Sequence, residues 1–416
     1  MQMKDSKISW IGEIPNHWKV LPNKYIFNIS KNIVDNPEKY QLLSLTTKGV
    51  KDKDENDLGG KIPDNYNGYQ RVNKGDLILC LFDLDCSAVF SGLSNYKGMI
   101  SPAYKIANSK KGVGINNYFK YLFAHAFNGR HYKQYSKSLR FTVNSDEFLR
   151  IKSIVPSLDE QIKISNYLDK KCGEIDDLIA DIEKEIEILT QYKKSVITET
   201  VTKGLNKDIT LKNSGIEWAK QTPEHWKIIP NKYLMKKIKN ICPKYTDEKI
   251  LSLTMNGVIV RDLDAGGKMP TSFDGYQIVK PGNLLMCLFD IDVTPRCVGL
   301  VKDHGLTSPA YSQFAMKEKA YAPYYYYYYL MLDYTKELLH LAKNLRHSFT
   351  EEQLGIINTP VPPIQEQKEI AEYLDKKCKE IDSILEDKNK QLETLETYKK
   401  SIIYEYVTGK KEVEND

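Results

Sequence analysis

Two pairs of carboxylates are the side chains whose spacing most suggests chemistry. Asp83 and Asp85 close the apolar run "DLILCLFDLD", and Asp290 and Asp292 close "NLLMCLFDID". Two carboxylates two positions apart could hold Mg2+, and alternation along a strand would turn both to one face. A stand-alone nuclease could be built on such pairs, but neither is accompanied by an ExK motif or a histidine. The residues are therefore read as a strand ending in an acidic turn. A carboxylate there has one other use, because it can accept a hydrogen bond from cytosine N4 in the major groove.

Other reactive patterns are missing from the sequence. A methyltransferase would need a Gly-rich cofactor loop and an Asn/Asp-Pro-Pro-aromatic tetrapeptide, whereas Pro362 and Pro363 lie between Val361 and Ile364. No GxxxxGK[ST] loop exists for a motor. The seven cysteines form no CxxC pair and no zinc-spaced cluster, so no metal site is expected. Cys80, Cys287, Cys172 and Cys378 read as small buried apolar residues, and the odd count favours a reducing cytoplasm. His17 and His225, beside Trp18 and Trp226, read as structural. The six tyrosines at 324–329 could stack on bases, but consecutive helical positions point all round the axis, which favours packing.

Cations near turns are the better candidates for binding. In the first half of the chain these are Lys61, Arg71, Lys97, Arg130, Lys133, Lys137 and Arg140. In the second they are Arg261, Lys268, Arg296, Lys302, Lys343 and Arg346. Arginine and lysine suit phosphate oxygens and the O6/N7 edge of guanine. The net charge of +5 says little by itself, since binding follows local patches.

The elements that must carry these residues occur twice. "WIGEIPNHWKVLPNKYIF" from Trp10 returns as "WAKQTPEHWKIIPNKYLM" from Trp218, and "YLDKKCGEID" from Tyr167 as "YLDKKCKEID" from Tyr373. Lys61 and Lys268, Lys137 and Lys343, and Arg140 and Arg346 are repeat mates. So long a period is a duplicated domain, because solenoid repeats run about 20–50 residues.

Each copy has two parts. The first, 1–156 and 206–362, mixes short strand-like runs with helical patterns at 117–128 and 323–341. The second, 157–205 and 363–416, carries a long helix from about 159 to 201 and from 365 to 407. Ile175, Ile179, Ile182, Ile186 and Leu189 step by four and three, as do Ile381, Leu385, Lys388 (a polar exception), Leu392 and Leu395. That stripe is a coiled-coil seam on a rod of roughly 60 Å. Neither stripe can be hidden alone, so the two helices are expected to pair. The fold expected is α/β (mixed α+β), with duplicated domains joined by two long helices in an antiparallel coiled coil.

This order of parts resembles the DNA-specificity subunit of type I restriction–modification systems. The resemblance rests on "IVPSLDEQIKISNYLDKKCGEIDDLI" (154–179) and "PVPPIQEQKEIAEYLDKKCKEIDSIL" (360–385) at the helix starts. It rests also on "YKKSVITETVTKG" (192–204) and "YKKSIIYEYVTGK" (398–410) at their ends, and on "EIPNHW" and "QTPEHW". It covers essentially the whole chain. It implies a non-catalytic adaptor whose two target-recognition domains read a split site in double-stranded DNA. The helices would dock two methyltransferase subunits, and restriction subunits with motor and nuclease activity would complete the assembly. S-adenosylmethionine, Mg2+ and ATP would belong to those partners, and this chain would need no cofactor. A pure coiled-coil scaffold is the remaining alternative. Because the copies are so alike, the half-sites are expected to be partly palindromic, with centres about one helical turn apart. The sequence has neither an apolar signal-peptide core nor a run long enough to span a membrane, which points to a soluble cytoplasmic protein.

Overall fold

The computed structural model describes residues 2–47, 49–53, 65–136, 140–264, 270–342 and 348–414. The chain forms two units. One combines Met1–Ile182 with Asn389–Asp416, and the other is Glu183–Lys388.

In the first unit an antiparallel sheet runs in the order Phe27–Ser30, Lys105–Ser109, Leu77–Leu79, Ser91–Leu93. Leu77, Ile78 and Leu79 are all fully buried, because this inner strand is covered on both faces. Leu77 and Leu79 face a large core built around the helix Asn116–Asn128, with Phe27, Phe119, Phe123 and Phe148. Ile78 and Cys80 face a smaller core with Leu43, Leu45 and Val50 from the hairpin Leu43–Thr46/Gly49–Asp52. Gly92 lets this hairpin lie against the sheet, since a Cβ there would stand 2.5 Å from a Leu45 methyl.

The second unit repeats the arrangement with Met235–Ile238, Ser312–Met316, Leu284–Met286 and Val298–Leu300. Gly299 makes the same close approach, 2.6 Å from Val258 and 2.7 Å from Leu253. Its helix Ala322–Thr335 lies between the sheet and the long helices, so apolar surroundings meet it on nearly every side. Tyr324, Tyr325, Tyr327, Tyr328 and Tyr329 are buried and Tyr326 half-buried, which agrees with packing. Three of their hydroxyls find partners: Tyr324 donates to the Val201 carbonyl at 2.9 Å, Tyr327 to Asp375 at 2.7 Å, and Tyr328 accepts from the Trp218 indole at 2.9 Å. In the first unit Tyr118 donates to the Val407 carbonyl at 2.9 Å and Tyr121 to Asp169 at 2.7 Å.

The second-copy helix is shorter than its pattern predicts. It stops at Thr335, Lys336 turns left-handed (φ 53°), and a separate 3-10 turn, Glu337–Leu341, follows. The apolar residues continue across the break, so the pattern alone does not register it.

The long helices span Leu158–Lys203 and Ile364–Val407. In the first unit Tyr167 meets Tyr406 (ring centroids 4.4 Å apart) and Lys399 bonds Asp176 at 2.5 Å, so the segments are antiparallel. In the second unit Lys193 bonds Asp382 at 2.5 Å and Lys388 bonds Glu185 at 2.5 Å, again antiparallel. The stripe residues are the ones withdrawn from solvent. Ile175 and Ile381 are buried, and the other eight are half-buried between exposed neighbours. Lys388 fits the seam by lying along it with its stem and carrying its ammonium out to Glu185.

Candidate nucleic-acid interface

The acidic pairs do not alternate on a strand. The strands end at Leu79 and Met286, and Asp83 and Asp290 adopt left-handed backbones with φ of 50° and 47°. The chain reverses there. The Asp83 carbonyl accepts from the amides of Cys86 (3.1 Å) and Ser87 (2.7 Å), and the Asp290 carbonyl from Val293 (3.2 Å) and Thr294 (2.9 Å). Among the described residues no group of three or more His, Cys, Asp or Glu side chains is placed to hold a metal.

The candidate cations fall into three groups. Arg140, Lys97 and Lys302 are exposed, as is Arg71 on the strand Gln70–Val72, whose guanidinium lies 6.0 Å from the Tyr40 ring centroid. Lys97 and Lys302 are not repeat mates, yet each precedes the corresponding strand, Gly98–Ile100 or Gly305–Thr307. Arg261 is half-buried after the hairpin strand Gly257–Val260. Arg130 instead serves the first turn, and Arg296 is withdrawn from solvent. Arg130 donates to the carbonyls of Leu84 (3.2 Å) and Ser87 (2.7 Å) while stacking over Phe127. Arg296 has a side chain only 10% exposed, 3.9 Å from Asp333 and over Tyr334. Lys61, Lys137, Lys268, Lys343 and Arg346 lie outside the described residues.

Reading the sequence for cations near turns missed Lys336, which donates to the Thr294 carbonyl at 2.9 Å and is the positional counterpart of Arg130. It lay inside a helical pattern, and the repeat alignment was the signal that could have found it. Missed too were Tyr25 and Tyr233, exposed repeat mates each beneath a neighbouring lysine.

The paired Glu-Gln and His-Trp motifs meet. Glu160 accepts from the Trp18 indole at 2.9 Å, sits 2.7 Å from His17, and closes a capping box with Ser157. Burial would raise its pKa, but hydrogen bonds from Ser157, Trp18 and His17 outweigh it and hold the carboxyl at about 2. Glu366 makes the same contacts, with Trp226 at 3.0 Å and His225 at 2.8 Å. The histidines therefore fasten the start of each domain to the start of its long helix, a structural role.

The long helices also carry apolar side chains outside the seam. Leu178 and Tyr398 are exposed in the first unit, and Ile188, Tyr192 and Ile384 in the second. Leu178 shares a shallow groove with Ile182, Lys390, Gln391, Thr394 and Leu395.

Fold and site together define a duplicated α/β protein, each copy of which carries exposed cations and a braced turn. Comparison with known proteins agrees. Residues 306–394 match the profile of the type I restriction modification DNA specificity domain. The MjaVIII type I restriction enzyme specificity subunit of Methanocaldococcus jannaschii is 26% identical over 364 residues, covering 83% of this chain and 81% of its own. A second chain of that archaeon, provisionally named the MjaX specificity subunit, is 25% identical over 442 residues, covering 96% and 95%. In structure, a chain from work on assembly and conformational transition of the type I R-M system superposes with a TM-score of 0.70 at 12% identity, over 95% of this chain and 99% of that one, a likeness of fold. Over most of its length the chain is thus similar to DNA-specificity subunits of type I restriction–modification systems. The stand-alone nuclease reading finds no support. No helix among the described residues is long and apolar enough to cross a membrane.

Proposed function

We propose that each globular domain reads one half of a split DNA site, and that the long helices hold two methyltransferase subunits, with restriction subunits joining the same assembly. The observation that carries this is the duplication. Two domains share a fold element by element and keep cations at matching positions, which suits two related half-sites. The exposed Leu178, Tyr398, Ile384 and Tyr192 support docking, because apolar side chains left outside a seam are suited to a protein partner. S-adenosylmethionine, Mg2+ and ATP would be bound by the partners, and this chain would work where chromosomal DNA is accessible, in the cytoplasm.

The test is mapping of N6-methyladenine in the host genome with and without this chain. The expected motif has two halves separated by an unread spacer of fixed length, sharing bases in inverted orientation. Their centres should lie about one helical turn apart. One continuous motif, or two halves with no inverted bases in common, would count decisively against the reading.

A further inference from the structure

Left-handed backbone at residues other than glycine gathers, among the described residues, mainly at two places. Among the described residues, six that are not glycine have positive φ: Lys7, Asp83, Arg130, Phe141, Asp290 and Lys336. Five of these six build or brace the turns at 83–87 and 290–294. Asp83 and Asp290 open them. Arg130 and Lys336, themselves left-handed, donate into the Ser87 and Thr294 carbonyls from behind. The Phe141 carbonyl accepts from the Leu84 amide at 3.3 Å. A left-handed backbone costs a non-glycine residue about 1 kcal/mol or more and persists only where its surroundings enforce it. Both copies therefore maintain a rigid, strained turn that reverses into solvent.

What the turns present is unlike what holds them. Val293 leads the second turn and is 73% exposed, and Cys86 occupies the same position, also exposed, in the first. The supporting residues agree between copies: Asp83 with Asp290, Asp85 with Asp292, Phe82 over Tyr104 with Phe289 over Tyr311. The leading residue differs. Beside the first turn lies an exposed cation, since Arg140 directly precedes the Phe141 that bonds to Leu84. A carboxylate, an arginine and a small apolar group are the side chains suited to cytosine N4, guanine O6/N7 and the thymine methyl.

We infer that the turns at 83–87 and 290–294 are base-reading loops of the two half-sites, and that Cys86 and Val293 set different base preferences at corresponding positions. This rests on the proposed function above. Val293, branched and apolar, suits the C5 methyl of thymine. The smaller Cys86 makes a weaker demand for it, so the two halves diverge there.

The test places Val293→Cys and Cys86→Val separately in the host gene and maps N6-methyladenine made by the intact complex. Val293→Cys should change preference at one base of one half-site by roughly fivefold or more, as expected for a lost base contact. Cys86→Val should change the inverted position of the other half, toward the base its counterpart prefers. Spacer and remaining positions should stay as they are. Val293→Thr, nearly the same shape, serves as a second variant should the cysteine variant accumulate poorly. A wild-type split motif that both variants reproduce unchanged at every position would overturn the inference and leave the proposed function intact. Absence of a split motif in the wild type would remove both.

Discussion

At the scale of single residues, His125 is a liability that the second copy does not share. Its ring lies 4.9 Å from Tyr404, 5.7 Å from Trp10 and 5.9 Å from His131, which itself stacks on that tryptophan. Burial lowers its pKa to about 4; the Trp10 backbone partly opposes this, and His131 adds to it. Unfolded, the imidazole takes its proton near pH 6.5. Below that pH the unfolded chain binds more protons than the folded one. Stability should therefore fall as pH drops from about 6.5 to about 4, and level off beyond. The repeat mate is Met331, which carries no proton. His125→Met should consequently flatten the loss of stability between pH 7 and pH 5 in urea unfolding, and an unchanged pH dependence would refute this assignment. The mutual position of these aromatic rings was not legible in the sequence, because His125, His131 and Tyr404 come from three separate segments.

At the scale of elements, legibility followed the range of the interactions. The long helices were readable because a four–three stripe is a local pattern, and even Lys388 kept its register. The acidic turns were half readable. Their position after an apolar strand could be inferred, but not the reversed backbone, which depends on Arg130 and Lys336 more than 40 residues away. Those braces differ in residue type between copies, and one interrupts a helical pattern. The exposed Arg140 was legible because its cation recurs, whereas Arg296 looked the same in sequence and proved to be almost buried. The seam permits a direct test. Ile182 and Leu392 are half-buried stripe residues, and Asp at either would place a carboxylate against apolar neighbours at a cost of roughly 1–3 kcal/mol. The double variant Ile182→Asp/Leu392→Asp should melt several degrees lower and lose copurifying methyltransferase subunit. Retention of both melting temperature and partner would rule out the helices as the dock.

At the scale of the whole molecule, the first unit is made from both ends of the chain. Ile402, Ile403 and Val407 belong to the same core as Ile14, Phe123 and Leu168, and the Tyr118 hydroxyl waits for the Val407 carbonyl. The second unit is continuous, Glu183–Lys388. On the ribosome this reverses the usual order of completion. After Ile182 is made, more than two hundred further residues must be added before Val407 exists, which at about 5–20 residues per second is roughly 10–45 s. During that interval the surface meant for the last helix is bare. A chain ended at Lys388 should make the waiting state permanent, and is expected to appear mainly in the insoluble fraction or bound to chaperones. Adding residues 389–416 as a separate peptide should return it to solution, and recovery without that peptide would refute the account. Synthesis of this protein is thus exposed to ribosome pausing in its second half, where a delay prolongs the vulnerability of a domain translated long before.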